Sequence, residues 1–102
     1  MTIGTGKSKF STGFDLEKWA ESSEMIMRSY LQFQGLCSRI IQLPIPTLCV
    51  MNGKSLSGGL IFAFAHDFRI MADSPKSYVQ LTELMIGLPI PPSILHIIIM
   101  RT

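Results

Sequence analysis

From Ser23 to Leu43, apolar residues recur at Met27, Tyr30, Leu31, Phe33, Leu36, Cys37, Ile40 and Ile41. Intervals of three and four residues predict a helix with one apolar face turned towards a sheet. Pro44 and Pro46 end it, since each lacks an amide hydrogen and restricts the residue before it. Thr47 to Met51 is a short β-prone run, and Asn52-Gly53 supplies turn chemistry. Ser57-Gly58-Gly59 then opens a second apolar segment, Leu60 to Ala65, so this stretch reads as strand, loop, helix. Phe68 to Ala72 is a second strand candidate, Ser74-Pro75 a turn, and Tyr78 to Leu81 a third short strand. Gly87, Pro89, Pro91 and Pro92 interrupt the chain before a helix over Ser93 to Met100. Ahead of all these, a Gly/Ser/Lys-rich opening runs into Phe10-Ser11-Thr12-Gly13-Phe14-Asp15-Leu16, read as a strand end followed by a tight loop.

Composition narrows the class. A chain of 102 residues forms one domain at most, and a domain of that size buries only about two-thirds of its unfolded surface. Apolar residues make up 47% of it, which is the content of a globular interior rather than a disordered tail. The net charge of +2 comes from scattered Lys and Arg with no basic block, so nucleic acid is not an expected partner. Cys37 and Cys49 have no CxxC spacing and no ligand histidines nearby. No metal site is expected, and both are read as reduced core thiols of an intracellular protein. The N-terminus has no apolar signal core, and Pro, Asp or Arg interrupts each later apolar stretch, so no membrane span is expected.

Several motifs invite chemistry. Gly4-Thr5-Gly6-Lys7-Ser8 has the ending of a phosphate loop, but the pattern requires Gly where Met1 stands, and no strand precedes it. Gly53-Lys54-Ser55-Leu56-Ser57 lies where a hydrolase nucleophile elbow would lie, with His66, Asp67 and His96 as conceivable triad partners. Its last position is Ser rather than Gly, and a packed, hydrogen-bonded His66 is the more ordinary reading. Ser57-Gly58-Gly59 before an apolar helix admits two readings. One is a tight turn with close helix-sheet packing; the other is a backbone amide exposed to an anionic oxygen. Glu83 is the single acid between Ser74 and Met100, among Leu81, Leu84, Met85 and Ile86. It reads either as an exposed turn glutamate or as a carboxyl in apolar surroundings suited to proton transfer.

Three segments in register resemble the crotonase (enoyl-CoA hydratase/isomerase) superfamily. They are Phe10 to Leu16, Pro46 to Gly53 leading into Ser57-Gly58-Gly59, and Asp67-Phe68-Arg69-Ile70-Met71-Ala72-Asp73. The resemblance implies an α/β fold of ββα units, a ClpP/crotonase-like fold. Members are more than twice this long, so residues 1–102 would form one incomplete domain without the N-terminal strands and C-terminal helices. It also implies an oxyanion hole from the backbone amides of Phe14 and Gly58. Ser11, Thr12, Gly13, Phe14, Asp15 and Gly58 would cradle an acyl-CoA. Ile61 and Leu84 would line the acyl pocket, and Glu83 would be the catalytic acid/base. Hydratases of the superfamily usually carry two glutamates, and the position of the first is Ile61 here.

That count resembles the Δ3,Δ2-enoyl-CoA isomerases, with the Phe10 to Leu16 loop and Ala65-His66-Asp67 similar to plant-type peroxisomal enzymes. The implied reaction moves a double bond from the 3 to the 2 position of a fatty acyl-CoA in β-oxidation. Coenzyme A enters as part of the substrate, and no separate cofactor is expected. The alternatives are a hydratase-like protein, or a catalytically silent fragment acting through subunit assembly. Family members form trimers, so a homo-oligomer is expected. A peroxisomal location is implied, with the mitochondrion as the alternative; Ile99-Met100-Arg101-Thr102 is no peroxisomal address.

Overall fold

In the computed structural model, which describes residues 1–101, the chain alternates between two parallel sheets. Its elements are β1 (Thr2–Ile3), β2 (Lys9–Ser11), α1 (Leu16–Glu21), α2 (Ser23–Ile41), β3 (Leu48–Met51), β4 (Lys54–Leu56), α3 (Gly58–Phe64), β5 (Phe68–Met71) and β6 (Val79–Gln80). A 3-10 turn (Thr82–Met85) and α4 (Pro92–Arg101) follow. One sheet has the order β1-β3-β5 and the other β2-β4-β6, and every pair is parallel. Parallel neighbours need a crossover. Two strands and a helical segment therefore form one unit, and each strand pairs with its counterpart in the next. This is the ββα construction expected from the sequence.

Two elements depart from the sequence reading. The segment after Phe14 continues into α1, because the Asp15 carboxylate accepts from the Glu17 and Lys18 amides and satisfies donors that would otherwise be orphaned. The loop expected after Asn52-Gly53 contains β4. Three residues with two polar side chains carry no legible period, yet their amides are taken up by neighbours on both sides: Lys54 N–H donates to Ser8 O at 3.1 Å and Ser55 N–H to Tyr78 O at 2.9 Å. Pairing, not propensity, makes this strand.

The long helix stops at Ile41, where the Gln42 amide closes the last turn on Ser38 O at 3.1 Å. Its inward stripe is narrower than the apolar pattern. Cys37 is buried and Tyr30 and Phe33 are half-buried, but Met27 remains 62% exposed and Leu31 59%. The inward residues meet the aromatic ring of Phe14, at 5.0 Å edge-on from Phe33 and 6.2 Å from Tyr30, and the helix packs on α1.

The core lies between β3 and α3. β3 alternates half-buried and buried positions, and its inward Cys49 and Met51 pack with Ala63, with Phe10 closing the cluster. Both cysteines are free thiols, and burial pushes each up to about 11. They are core residues, as expected, and thiols raised this far carry little thiolate near neutral pH.

A polar clasp sets the register of β3 on β5. Asp67 accepts from the Thr47 amide at 2.9 Å and from the Thr47 hydroxyl at 3.1 Å, while the Asp67 amide donates back to Thr47 Oγ1 at 2.9 Å. Arg101 donates to the other Asp67 oxygen at 3.1 Å, and Arg69 donates to Arg101 O at 2.7 Å, which ties the end of α4 to the sheet. The Thr47 amide, then Arg101 and the Thr47 hydroxyl, hold the Asp67 carboxyl below its ordinary value of 3.8. A depressed carboxyl contributes stability above its unfolded value and loses it as pH falls through the folded one. Asp67→Asn is therefore expected to lower urea-unfolding stability near neutral pH. The gap from wild type should close as pH falls below 3.8, and a gap that persists in acid would show that charge is not the contribution.

Candidate active site

The carboxyl ends of β2, β4 and β6 converge, the usual location of a ligand crevice in a parallel α/β fold. β2 runs into Thr12-Gly13-Phe14, β4 into Ser57-Gly58-Gly59, and β6 into Thr82 and Glu83. An irregularity in the β2–β4 pairing between Lys9 and Ser11 re-aims the chain as it enters the first of these loops.

Glycines let the first two loops touch. Gly13 has φ +95°, and a methyl group on it would stand 3.2 Å from the Gly58 nitrogen. A Cβ on Gly58 would lie 3.3 Å from the Phe14 ring, and one on Gly59 only 2.6 Å from Ser11 O. The Gly13–Phe14 segment is thus laid against the first turn of α3, whose opening amides have no intrahelical acceptor. Ser11 Oγ accepts from the Gly13 amide at 3.3 Å and steadies the loop.

Two cavities flank Phe14. One, of about 100 Å³, is walled largely by apolar and aromatic side chains including Trp19, Tyr30, Ile61, Ile86 and Ile94, and holds Glu83, Ser57, Thr82 and Thr12. The other, of about 230 Å³, is lined by Ser11, Gly13, Gly58, Gly59 and Phe62. Phe14 and Phe33 belong to both walls.

Within the first cavity, Glu83 Oε2 is buried and has no hydrogen-bond partner. Buried polar atoms are nearly always paired, so this oxygen, on a residue that lines a cavity, is free of commitments to the protein. Glu83 is the only acid among the residues lining that cavity. Its backbone is pinned, since the Glu83 carbonyl accepts from the Leu88 amide at 3.0 Å and the Ile86 amide at 3.3 Å. Across the cavity, burial raises the Tyr30 hydroxyl above its ordinary value, a hydrogen bond with Gln34 offsets part of this, and the charge of Glu83 adds to the rise.

The expected site residues separate into groups. Glu83, Thr12, Phe14 and Ile61 line one cavity; Ser11, Gly13, Phe14 and Gly58 line the other. Asp15 stands at the loop with its carboxylate committed to capping α1. Leu84 is not among the residues lining the Glu83 cavity and is 74% exposed. Ile86, just past the 3-10 turn and itself 68% exposed, does line the Glu83 cavity. Ser57, Thr82, Tyr30 and Trp19 join the cavity without having been singled out for it in the sequence. Their convergence comes from four separate segments.

The competing motifs resolve structurally. His66 is buried; its Nδ1 lies 3.0 Å from Phe62 O, which can only accept, so Nδ1 carries the proton and Nε2 accepts from Thr2 Oγ1 at 2.8 Å. Ser55 Oγ is buried without a partner, so no Ser–His pair exists to activate it. Gly4 to Ser8 joins β1 to β2 and opens no helix, and Gly6 O accepts from the Asn52 side chain.

The enoyl-CoA hydratase/isomerase family model matches residues 2–102. The chain belongs to that family. It is 34% identical over 96 residues to enoyl-CoA delta isomerase 3 of Arabidopsis thaliana, covering 89% of this chain and 39% of the relative. It is 31% identical over 98 residues to the peroxisomal enoyl-CoA delta isomerase 2 of the same plant, covering 89% and 40%. Among solved structures, an enoyl-CoA isomerase of Mycobacterium tuberculosis superposes with a TM-score of 0.83 at 25% identity, over 93% of this chain and 40% of that one. The fold is thus the crotonase fold in part: the chain spans about two-fifths of the length of these relatives. No helix among the described residues is long and apolar enough to cross a membrane.

Proposed function

We propose that the site is that of an enoyl-CoA isomerase, with Glu83 as the single proton-transfer group. The observation that carries this is the orphaned, buried Glu83 oxygen in an apolar cavity where Ile61 stands in place of a second carboxylate. Adding water across a double bond is helped by one group to activate the water and another to handle the carbon proton. Moving a double bond needs one base that takes a proton and returns it.

Glu83 removes a proton from C2 of a 3-enoyl thioester. The electron pair of that C–H bond forms a C1–C2 double bond as the carbonyl pair moves onto the thioester oxygen. When the carbonyl re-forms, the C1–C2 pair becomes the C2–C3 double bond, and the electrons of the former C3–C4 double bond take up the same proton from Glu83 at C4. Between the two transfers the charge rests on the thioester oxygen as a dienolate. The amides of Phe14 and Gly58 hold that oxygen, a contribution worth about 3–4 kcal/mol per donor at comparable sites. Ile61, only 5% exposed, keeps competing water out. Ser11 to Asp15 receives the coenzyme A portion, and no further cofactor takes part.

A second reading has its own support. Met85 and Ile86, beside Glu83 in sequence, stay exposed. An assembly of subunits, a homotrimer in the first instance, would cover those side chains, and a catalytically silent chain could act through it alone. A peroxisomal relative favours a peroxisomal location, with the mitochondrion as the alternative.

The folded chain should convert 3-hexenoyl-CoA to its 2-enoyl isomer, with hydration of the 2-enoyl thioester at least about tenfold slower, since one of the two acid/base groups is absent. A well-folded chain without turnover would favour the silent reading. Hydration as fast as isomerisation would mean that Ile61 does not separate the reactions.

A further inference from the structure

We propose that Ser57 and Thr82 are positioning residues whose side chains hold the Gly58 amide and the Glu83 carboxylate in one fixed relation; the inference rests on the reaction proposed above. Each stands immediately before a residue of that reaction: Ser57 before Gly58, and Thr82 before Glu83. Their hydroxyls are hydrogen-bonded to each other across 25 positions of sequence. A second bond reinforces the first, since Ser57 N–H donates to Gln80 O at 2.8 Å. Both side chains line the cavity that holds Glu83.

The backbone of Ser57 strengthens the case. It lies at φ 48° and ψ −120°, and it is the only non-glycine with positive φ among the described residues. Glycine would sit there without steric cost, whereas serine adopts it only because the surroundings over-determine it. These two angles decide which way the Ser57–Gly58 peptide turns, and therefore where the Gly58 N–H points. The strained residue keeps a side chain, and that side chain is bonded to the residue preceding the base. Strain at this peptide and the hydroxyl pair act on the same quantity: the placement of the oxyanion donor relative to the proton carrier. Misplacement of reacting groups by even a fraction of their contact distance is costly to rate.

The test uses the full chain with 3-hexenoyl-CoA and, in parallel, the amide resonance of Gly58 in nitrogen-15 spectra. Ser57→Ala and Thr82→Val should each lower kcat about tenfold with KM within about twofold, and the double variant should be no worse than either single, because one interaction is lost once. Thr82→Ser should restore kcat. Ser57→Gly separates positioning from stability: it relieves the backbone, so thermal stability should hold or rise while kcat falls as in Ser57→Ala. The Gly58 resonance should move in Thr82→Val. Additive losses, unchanged kcat in Ser57→Gly, or an unmoved Gly58 resonance would each overturn the proposal. A folded wild-type chain with no isomerisation would remove the proposed reaction, and the coupling of Thr82 to Gly58 would then be decided by the resonance alone.

Discussion

Replacing Glu83 by Gln should lower the isomerisation rate by about 10²- to 10⁴-fold, the range in which a positioned acid/base group contributes. The substitution keeps the volume of the side chain and removes only its ability to take a proton. Glu83 Oε2 has no hydrogen-bond partner in the protein, so the amide of Gln breaks no existing contact there. The 3-10 turn is held through the Glu83 carbonyl, which the substitution leaves in place. Thermal unfolding and KM should accordingly stay close to wild type while kcat collapses. Turnover within about tenfold of wild type would remove Glu83 from the proton transfer. Some acceleration should survive, since amides at the oxyanion position act independently of the base.

The second large effect is expected on folding. A Cβ on Gly59 would meet Ser11 Cβ and Ser11 O at 2.6 Å and Ser11 Oγ at 2.8 Å. Two of these belong to atoms that cannot swing aside, so Gly59→Ala must push α3 away from β2. Overpacking of this kind costs about 1–3 kcal/mol. In a domain this size that corresponds to a melting temperature lower by about 4–8 °C for each kcal/mol. The displacement also separates the Gly58 amide from the Gly13–Phe14 segment, so activity per folded molecule should fall as well. Gly35 offers the internal control: nothing lies within 4 Å of a Cβ built there. Because Gly35 sits inside α2, Gly35→Ala should stabilise by about 0.5–1 kcal/mol. A Gly59→Ala chain that melts like wild type would mean the approach of α3 to β2 is looser than described.

The second reading of Ser57-Gly58-Gly59, an amide offered to an oxygen, does not displace the first. Gly59 is needed for packing, while Gly58 and Gly13 are needed for the approach of two loops. Close packing lays the Gly13–Phe14 segment against Gly58, so the tight turn and the proposed anion site are compatible in one construction.

The sequence by itself determined which segments become helix or strand wherever a period or a breaker was long enough to read. Residues 23–43 carried the helical spacing, Pro44 and Pro46 its end, and Thr47 to Met51 the β-prone run that became β3. It also singled out Glu83 and the glycine pair, because an isolated acid in an apolar stretch and a Ser-Gly-Gly opening are visible without neighbours. Short elements escaped it. β4 exists because Ser8, Tyr78 and Gln80 supply acceptors to Lys54, Ser55 and Ser57 from elsewhere in the chain, and no three-residue window encodes that. Adjacency to Glu83 in sequence likewise did not tell that Ile86 lines its cavity while Leu84 does not. Only the tertiary structure decided that Glu83 keeps one oxygen unpaired, that Phe14 stands between two cavities, and that Ser57 reaches Thr82. Those are relations between the ends of β2, β4 and β6, which parallel pairing brings together across helical crossovers; local propensity has no access to them.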